Sequence, residues 1–252
     1  MRPKIKENNT QNKKDEQRFF DAFGENNSYD VFDAGGYNRI INEFLKYFEP
    51  VPGLKVADIG CGTGSFTSKF LKYKFKLFGI DISPNCVKYA AKRYPNISFE
   101  VGDAERTNYP SQTFDVIFLS GVLHHFRDFF HVIGECHRIL KKGGILLCYD
   151  PNRQNPFMRV FRCKDSTLYV SKGVTRNERP LVKKEITSAL IAGGFSEYKV
   201  YSISGVTFRY LGHKASFLIL PVYNLIEKIM DIRPLRERFG SFLITYAKKT
   251  PV

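Results

Sequence analysis

The sequence predicts an α/β protein built on a doubly wound parallel sheet, and three observations predict it. A short apolar run, Val56-Ala57-Asp58-Ile59, ends in the glycine-rich turn Gly60-Cys61-Gly62-Thr63-Gly64 and is followed by apolar residues at helical spacing (Phe66, Phe70, Leu71). A second apolar run, Lys76 to Ile80, ends in an acidic residue, Asp81. After that point strand-like and helix-like stretches alternate as far as Asp150.

The first turn needs glycine because its backbone must adopt conformations that a Cβ disfavours, and because a ligand can then lie against bare main chain. The helix expected after it would aim its free N–H groups at that ligand. In a doubly wound sheet Asp81 stands beside this turn, where an acidic side chain can accept hydrogen bonds from ribose hydroxyls. A nucleoside-bearing ligand is the expectation.

Spacing then separates two kinds of nucleoside cofactor. Dinucleotide folds use G-x-G-x-x-G and meet a pyrophosphate at the helix N-terminus. Here the order is Asp58-x-Gly60-x-Gly62-x-Gly64, and the aspartate suits an ammonium group, directly or through water, better than a pyrophosphate. On these residues the sequence resembles the class I S-adenosylmethionine-dependent methyltransferases, over roughly Tyr29 to Asp150 and again from Ser241 to Lys248.

The resemblance implies a Rossmann-like sheet of seven strands whose last strand is antiparallel, with helices on both faces. It implies S-adenosyl-L-methionine as cofactor, held by Tyr29, Asp58, Gly60, Cys61, Gly62, Gly64, Asp81, Ile82, Asp103, Ala104 and Ser120. Within that set Tyr29 would cover the cofactor, Asp103 would accept from the adenine amino group, and Ala104 would supply a backbone donor.

The chain has 252 residues and is read as one domain, residues 15–252, behind a mobile basic tail, residues 1–14. Two aromatic-rich helices, Asp15 to Phe23 and Tyr37 to Phe48, fall within a leading segment, 15–53. The cofactor-binding core spans 54–150. Pro84 opens a helix, Ile97 to Val101 and Thr113 to Leu119 are strands, and Ser120 to Phe126 forms the pocket floor implied by the resemblance. Asp128 to Leu140 reads as a helix closed by Lys141-Lys142-Gly143-Gly144, and Ile145 to Tyr149 as the fifth strand. His124 and His125 have two open readings: general base, since imidazole titrates near neutrality, or packing and turn-capping residues.

Two segments exceed the minimal fold, 151–182 and 204–240. Both are expected to start at the carboxyl ends of parallel strands, the edge where ligands bind, and loops of this length are usually functional or partly folded. They are read as the acceptor site and its cover. The helix Lys183 to Ala192 and the strand Phe195 to Ile203 separate them, and Phe242 to Ala247 is the final strand.

Composition narrows the function further. Five cysteines without a C-x-x-C pair suit a reduced cytoplasmic protein better than a disulfide framework or a zinc site. The basic, polar N-terminus lacks the apolar core of a signal peptide, no apolar run reaches membrane-spanning length, and no metal site is expected. Residues 1–150 hold 21 Lys+Arg against 18 Asp+Glu, whereas 151–252 hold 18 against 7. The positive excess of the second part leaves a solubilising surface, an anionic acceptor, RNA and an acidic membrane surface all open.

Asp150-Pro151-Asn152 follows the fifth strand rather than the fourth and lacks the second proline and aromatic of base-methylating motifs, so base N-methylation is not expected. The leading expectation is methyl transfer by in-line displacement to a small-molecule, lipid or lipid-linked saccharide acceptor. An RNA methyltransferase and a non-catalytic cofactor-binding protein are the alternatives. Apolar residues between Ser216 and Met230, interrupted by Pro221 and flanked by Arg233, Arg236 and Arg238, leave a peripheral contact with an anionic membrane open.

Overall fold

The computed structural model describes residues 13–24, 30–169, 174–209 and 216–250. The expected tail lies almost wholly outside them, as does Tyr29. Lys13 and Lys14 belong instead to the first helix, α1 (Lys13–Gly24), whose first turn also carries Asp15 and Glu16, the charge that a helix N-terminus favours.

The strands are β1 (Lys55–Ile59), β2 (Lys76–Asp81), β3 (Ser98–Val101), β4 (Phe114–Ser120), β5 (Leu140–Pro151), β6 (Glu197–Ile203) and β7 (Phe242–Lys248). They form one sheet of seven strands in the order β3-β2-β1-β4-β5-β7-β6. β1 pairs in parallel with β2 and β4, and β5 in parallel with β4, while β7 lies antiparallel between β5 and β6. The order reverses at β1, so the carboxyl end of that strand opens the crevice in which such sheets bind ligands.

Alternation along the strands gives the sheet two apolar faces. Ala57, Ile59, Ile117 and Leu119 face a core shared with α4 (Phe130–Ile139) and α6 (Lys183–Ala192), through Ile133, Cys136, Ile186 and Leu190. Val56, Val116 and Phe118 face a second core rich in aromatic rings, with Ile40 and Phe44 from α2 (Ala34–Phe44) and Phe66 and Phe70 from the turn after β1. The Phe70 and Phe118 rings meet at 4.5 Å between centroids, tilted by 35°.

Four expectations are corrected. The α-helix after the glycine turn is a 3-10 helix, Thr67–Tyr73, closed by Lys74 in the left-handed region. The second helix is α2, and it begins three residues earlier than the periodicity suggests because Asp33 caps it, accepting from the Gly36 N–H at 2.8 Å. Lys141 to Gly144 do not close a helix: α4 ends at Ile139 and these residues open β5, with a shift in register against β4 between Phe114 and Val116. Pro221 does not interrupt its segment, since α7 (Ser216–Ile229) runs through it at the cost of one backbone hydrogen bond.

α3 (Pro84–Arg93) packs beside α1, and α5 (Pro156–Arg162) lies in the first insertion. α7 and α8 (Arg233–Phe239) make up the second. The two insertions touch: the Phe157 ring meets Tyr223 edge-on at 5.5 Å, and Asn155 Nδ2 donates to the Phe239 carbonyl at 2.8 Å.

Candidate active site

The glycine turn is pinned to the neighbouring strand, because the N–H groups of Gly60 and Cys61 donate to the Ile80 carbonyl at 2.7 and 3.1 Å. Gly60 sits at φ +76°, and a Cβ there would meet Val122 Cγ2 at 2.5 Å. Gly62, at φ +52°, is different: nothing lies within 4 Å of where its Cβ would be. This leaves a bare stretch of main chain beside open space, the surface that a bound nucleoside needs. Gly64 takes φ +75° against Phe99, and Cys61 is buried with its sulfur 3.7 Å from the Gly62 carbonyl.

Asp58 is fully buried. Its carboxyl accepts from Thr67 Oγ1 at 2.6 Å and Ser120 Oγ at 2.7 Å, so it ties the 3-10 helix to the end of β4. Burial pushes its pKa up to about 7, against the two hydroxyl bonds that lower it. With no exposed surface and each oxygen engaged by a hydroxyl, Asp58 reaches the crevice only by way of its hydrogen-bond partners.

Asp81 accepts from the Gly62 N–H at 2.8 Å and from the Ser83 N–H at 2.9 Å, one bond to each oxygen. Burial raises its pKa while these two backbone donors oppose the rise. A carboxylate offers about four lone-pair sites, so both oxygens retain capacity for ribose hydroxyls. Ile82 is half-buried between Asp81 and Ser83, the residue whose hydroxyl caps α3 by accepting from the Cys86 N–H at 3.1 Å.

Asp103 and Ala104, just past β3, are half-buried. Asp103 Oδ1 accepts from the Glu105 N–H at 2.9 Å and Oδ2 from Lys13 Nζ at 2.5 Å. The groups gathered here, a bare turn and the acceptor carboxylates of Asp81 and Asp103, fit S-adenosylmethionine.

α1 lies along this edge. Asp21 accepts from Ser83 Oγ at 2.6 Å and the Asn85 N–H at 3.3 Å, and the Cys86 thiol approaches the Phe20 carbonyl at 3.3 Å. The face of α1 that carries these residues is invisible in the sequence, where periodicity shows only its apolar side.

The two histidines occupy a 3-10 turn, Leu123–His125, and both are buried. Neither lies in α4. Asp150 Oδ1 accepts from the His124 N–H at 3.0 Å and stands 2.8 Å from His124 Nδ1. An ionised Asp150 makes Nδ1 the protonated nitrogen, and Nε2 is left as a base. The ring lies by the turn after β4: a Cβ on Gly121 would stand 3.6 Å from His124 Cε1. Asp150 is wholly buried, and burial raises its pKa against the His124 bonds.

His125 is held well below its ordinary pKa by burial, with His124 and Arg162 adding to the effect. Its Nδ1 lies 3.3 Å from Thr175 Oγ1 and 3.7 Å from Glu16 Oε2, and its ring meets Phe20 at 5.2 Å. Glu16, buried on α1, accepts from Asn177 Nδ2 at 3.0 Å. His124, His125 and Glu178 place three ligand atoms within 4.8 Å of one another, a set able to hold a cation that spacing along the chain does not reveal. Arg162 Nη1, 3.8 Å from Glu178, already brings positive charge to it. Glu16, Thr175, Asn177 and Glu178 were all missed by sequence reading, since they come from segments with no motif.

Residues 57–148 match the family model described as a methyltransferase domain. Over that stretch the chain is similar to the class I S-adenosylmethionine-dependent methyltransferases. It is 30% identical over 129 residues to a demethylmenaquinone methyltransferase of Lysinibacillus sphaericus, covering 48% of this chain and 55% of that protein. It is 29% identical over 153 residues to phosphoethanolamine N-methyltransferase 3 of Arabidopsis thaliana, covering 57% of this chain and 30% of that one. The chain thus spans about half the length, or less, of these curated relatives. Among solved structures, Haemonchus contortus phosphoethanolamine N-methyltransferase 2, in complex with S-adenosyl-L-methionine, superposes with a TM-score of 0.64 at 16% identity, over 94% of this chain and 57% of that one. The seven-stranded sheet with its antiparallel β7 is the one that the resemblance implied.

Proposed function

We propose that this protein transfers the methyl group of S-adenosylmethionine to a small-molecule acceptor that loses a proton in the reaction. The observation that carries the reading is the His124–Asp150 pair, 2.8 Å apart, at the same sheet edge as the glycine turn and Asp81. The cofactor supplies an activated methyl group: the acceptor atom bonds to the methyl carbon as the carbon–sulfur bond breaks, and the electron pair stays on sulfur.

The protein's own tasks are to hold, align, exclude water and take the proton. Asp81 and the Gly62 main chain would hold the ribose and its neighbourhood, and Asp103 the adenine end. His124 Nε2 would receive the acceptor's proton, with Asp150 fixing the tautomer and orientation of the imidazole. α1 would shut out water, since Lys13 and Asp21 lash it to the cofactor edge and Glu16 to the histidines.

Two relatives are named for demethylmenaquinone and phosphoethanolamine, both small molecules. For this chain, the positive excess of residues 151–252 and the contact between the two insertions support a lipid or lipid-linked anionic acceptor. The test is incubation with methyl-labelled cofactor and fractionated cell extract. Label in the lipid or small-molecule fraction is expected, and lost with His124→Ala. Label in RNA, or in no fraction, would refute the proposal.

A further inference from the structure

A surface helix ordinarily buries its apolar stripe and shows water its polar one, yet α7 turns Asn224 and Glu227 inward beside Leu220 and Tyr223 and leaves a second apolar stripe outward. Glu227 is 1% exposed, and its carboxylate accepts from Ser241 Oγ at 2.7 Å. Asn224 closes a pair of bonds with the Phe208 backbone, accepting from its N–H and donating to its carbonyl, both at 2.9 Å. On the outer side Val222, Leu225 and Ile229 are 58%, 58% and 52% exposed.

The three-to-four spacing of 222, 225 and 229 puts these side chains on one face of α7, and Ile232 and Leu235 are exposed apolar residues just beyond its end. Cations border it: Lys228, Arg233 and Arg238 are exposed, and the acid among them, Glu237, is paired with Arg233 at 3.0 Å. A helix pair keeps such a face only if something covers it.

We propose that the α7–α8 face docks on an anionic lipid bilayer, with the apolar stripe in the headgroup–acyl boundary and the three cations against lipid phosphates. Burial of the stripe and attraction to surface charge then add. A second copy of the chain suits the face poorly, because a two-fold contact would set Lys228, Arg233 and Arg238 against their own equivalents. The inference does not depend on the reaction proposed above, and so it is read without cofactor or activity.

The full chain is floated with vesicles of phosphatidylcholine alone and with vesicles containing phosphatidylglycerol, at low and high salt. Flotation with the anionic vesicles only, weakened by salt, is expected. Leu225→Ser with Ile229→Ser, and separately Arg233→Glu with Arg238→Glu, should each lower the bound fraction at least about tenfold at unchanged melting temperature, since these side chains are exposed. No flotation, equal flotation on neutral vesicles, or wild-type binding by both variants would overturn the proposal. So would sedimentation equilibrium showing a dimer that Leu225→Ser with Ile229→Ser dissolves, which would give the face to a second copy.

Discussion

Lys13 Nζ lies 2.5 Å from Asp103 Oδ2, joining the first turn of α1 to the acidic residue that follows β3. Together with the Asp21 bonds to Ser83 and Asn85, this contact lays α1 along the cofactor edge. The expectation is that cofactor exchange requires α1 to move.

Asp21→Ala removes the acceptor of the Ser83 hydroxyl and loosens α1, worth about 1 kcal/mol. Dissociation of S-adenosylmethionine should quicken about fivefold, read by stopped-flow fluorescence. An unchanged rate would mean that α1 does not gate the site.

Asp81→Ala removes bonds to an ionised group, on the order of 1.5 to 3 kcal/mol of cofactor binding. The dissociation constant should therefore rise roughly ten- to a hundredfold by calorimetry. The melting temperature should fall as well, because Asp81 also holds the Gly62 and Ser83 N–H groups. Unchanged affinity would reduce Asp81 to a turn residue.

Asp150→Asn keeps the shape of the His124 contact but takes away the carboxylate that fixes the tautomer of the imidazole. The turnover number should drop on the order of a hundredfold, within the range of general-base effects, with little change in KM for the cofactor. A turnover close to wild type would show that His124 is a packing residue.

Much of this site was legible in the sequence because its chemistry is carried by local spacing. The glycine turn and Asp81 need residue types that few other roles require, and βα alternation marks the parallel strands, whereas the antiparallel β7 was implied only by the resemblance. The histidine pair was visible, but its function was not. Asp150 lies on another strand, and only register brings it to His124. Glu16 and Glu178 come from segments whose periodicity says nothing about their polar side. The second apolar stripe of α7 was legible as an excess of apolar residues, yet only the Asn224 and Glu227 bonds show which side is inward.

Glu227 supplies a pH test away from the cofactor. Burial raises its pKa to about 7 from an ordinary 4.5, against the bonds from Ser241 and Gly205. A raised folded pKa means that the native state binds the proton more tightly, so its contribution is complete below pH 4.5 and lost as pH rises through 7. Asp58 acts in the same sense. The melting temperature should decline between pH 5 and 8, and Glu227→Gln should flatten that decline by an amount on the order of a few kcal/mol. An identical pH profile for the variant would contradict the buried, proton-holding state of Glu227.

The central claim is that the crevice beside Gly62 holds S-adenosylmethionine, and ligand-dependent thermal denaturation tests it most directly. At about 100 times the dissociation constant, S-adenosylmethionine or its demethylated product should stabilise the fold by about 2.7 kcal/mol, while NAD should do nothing. A shift with NAD and none with either sulfur nucleoside would contradict the account.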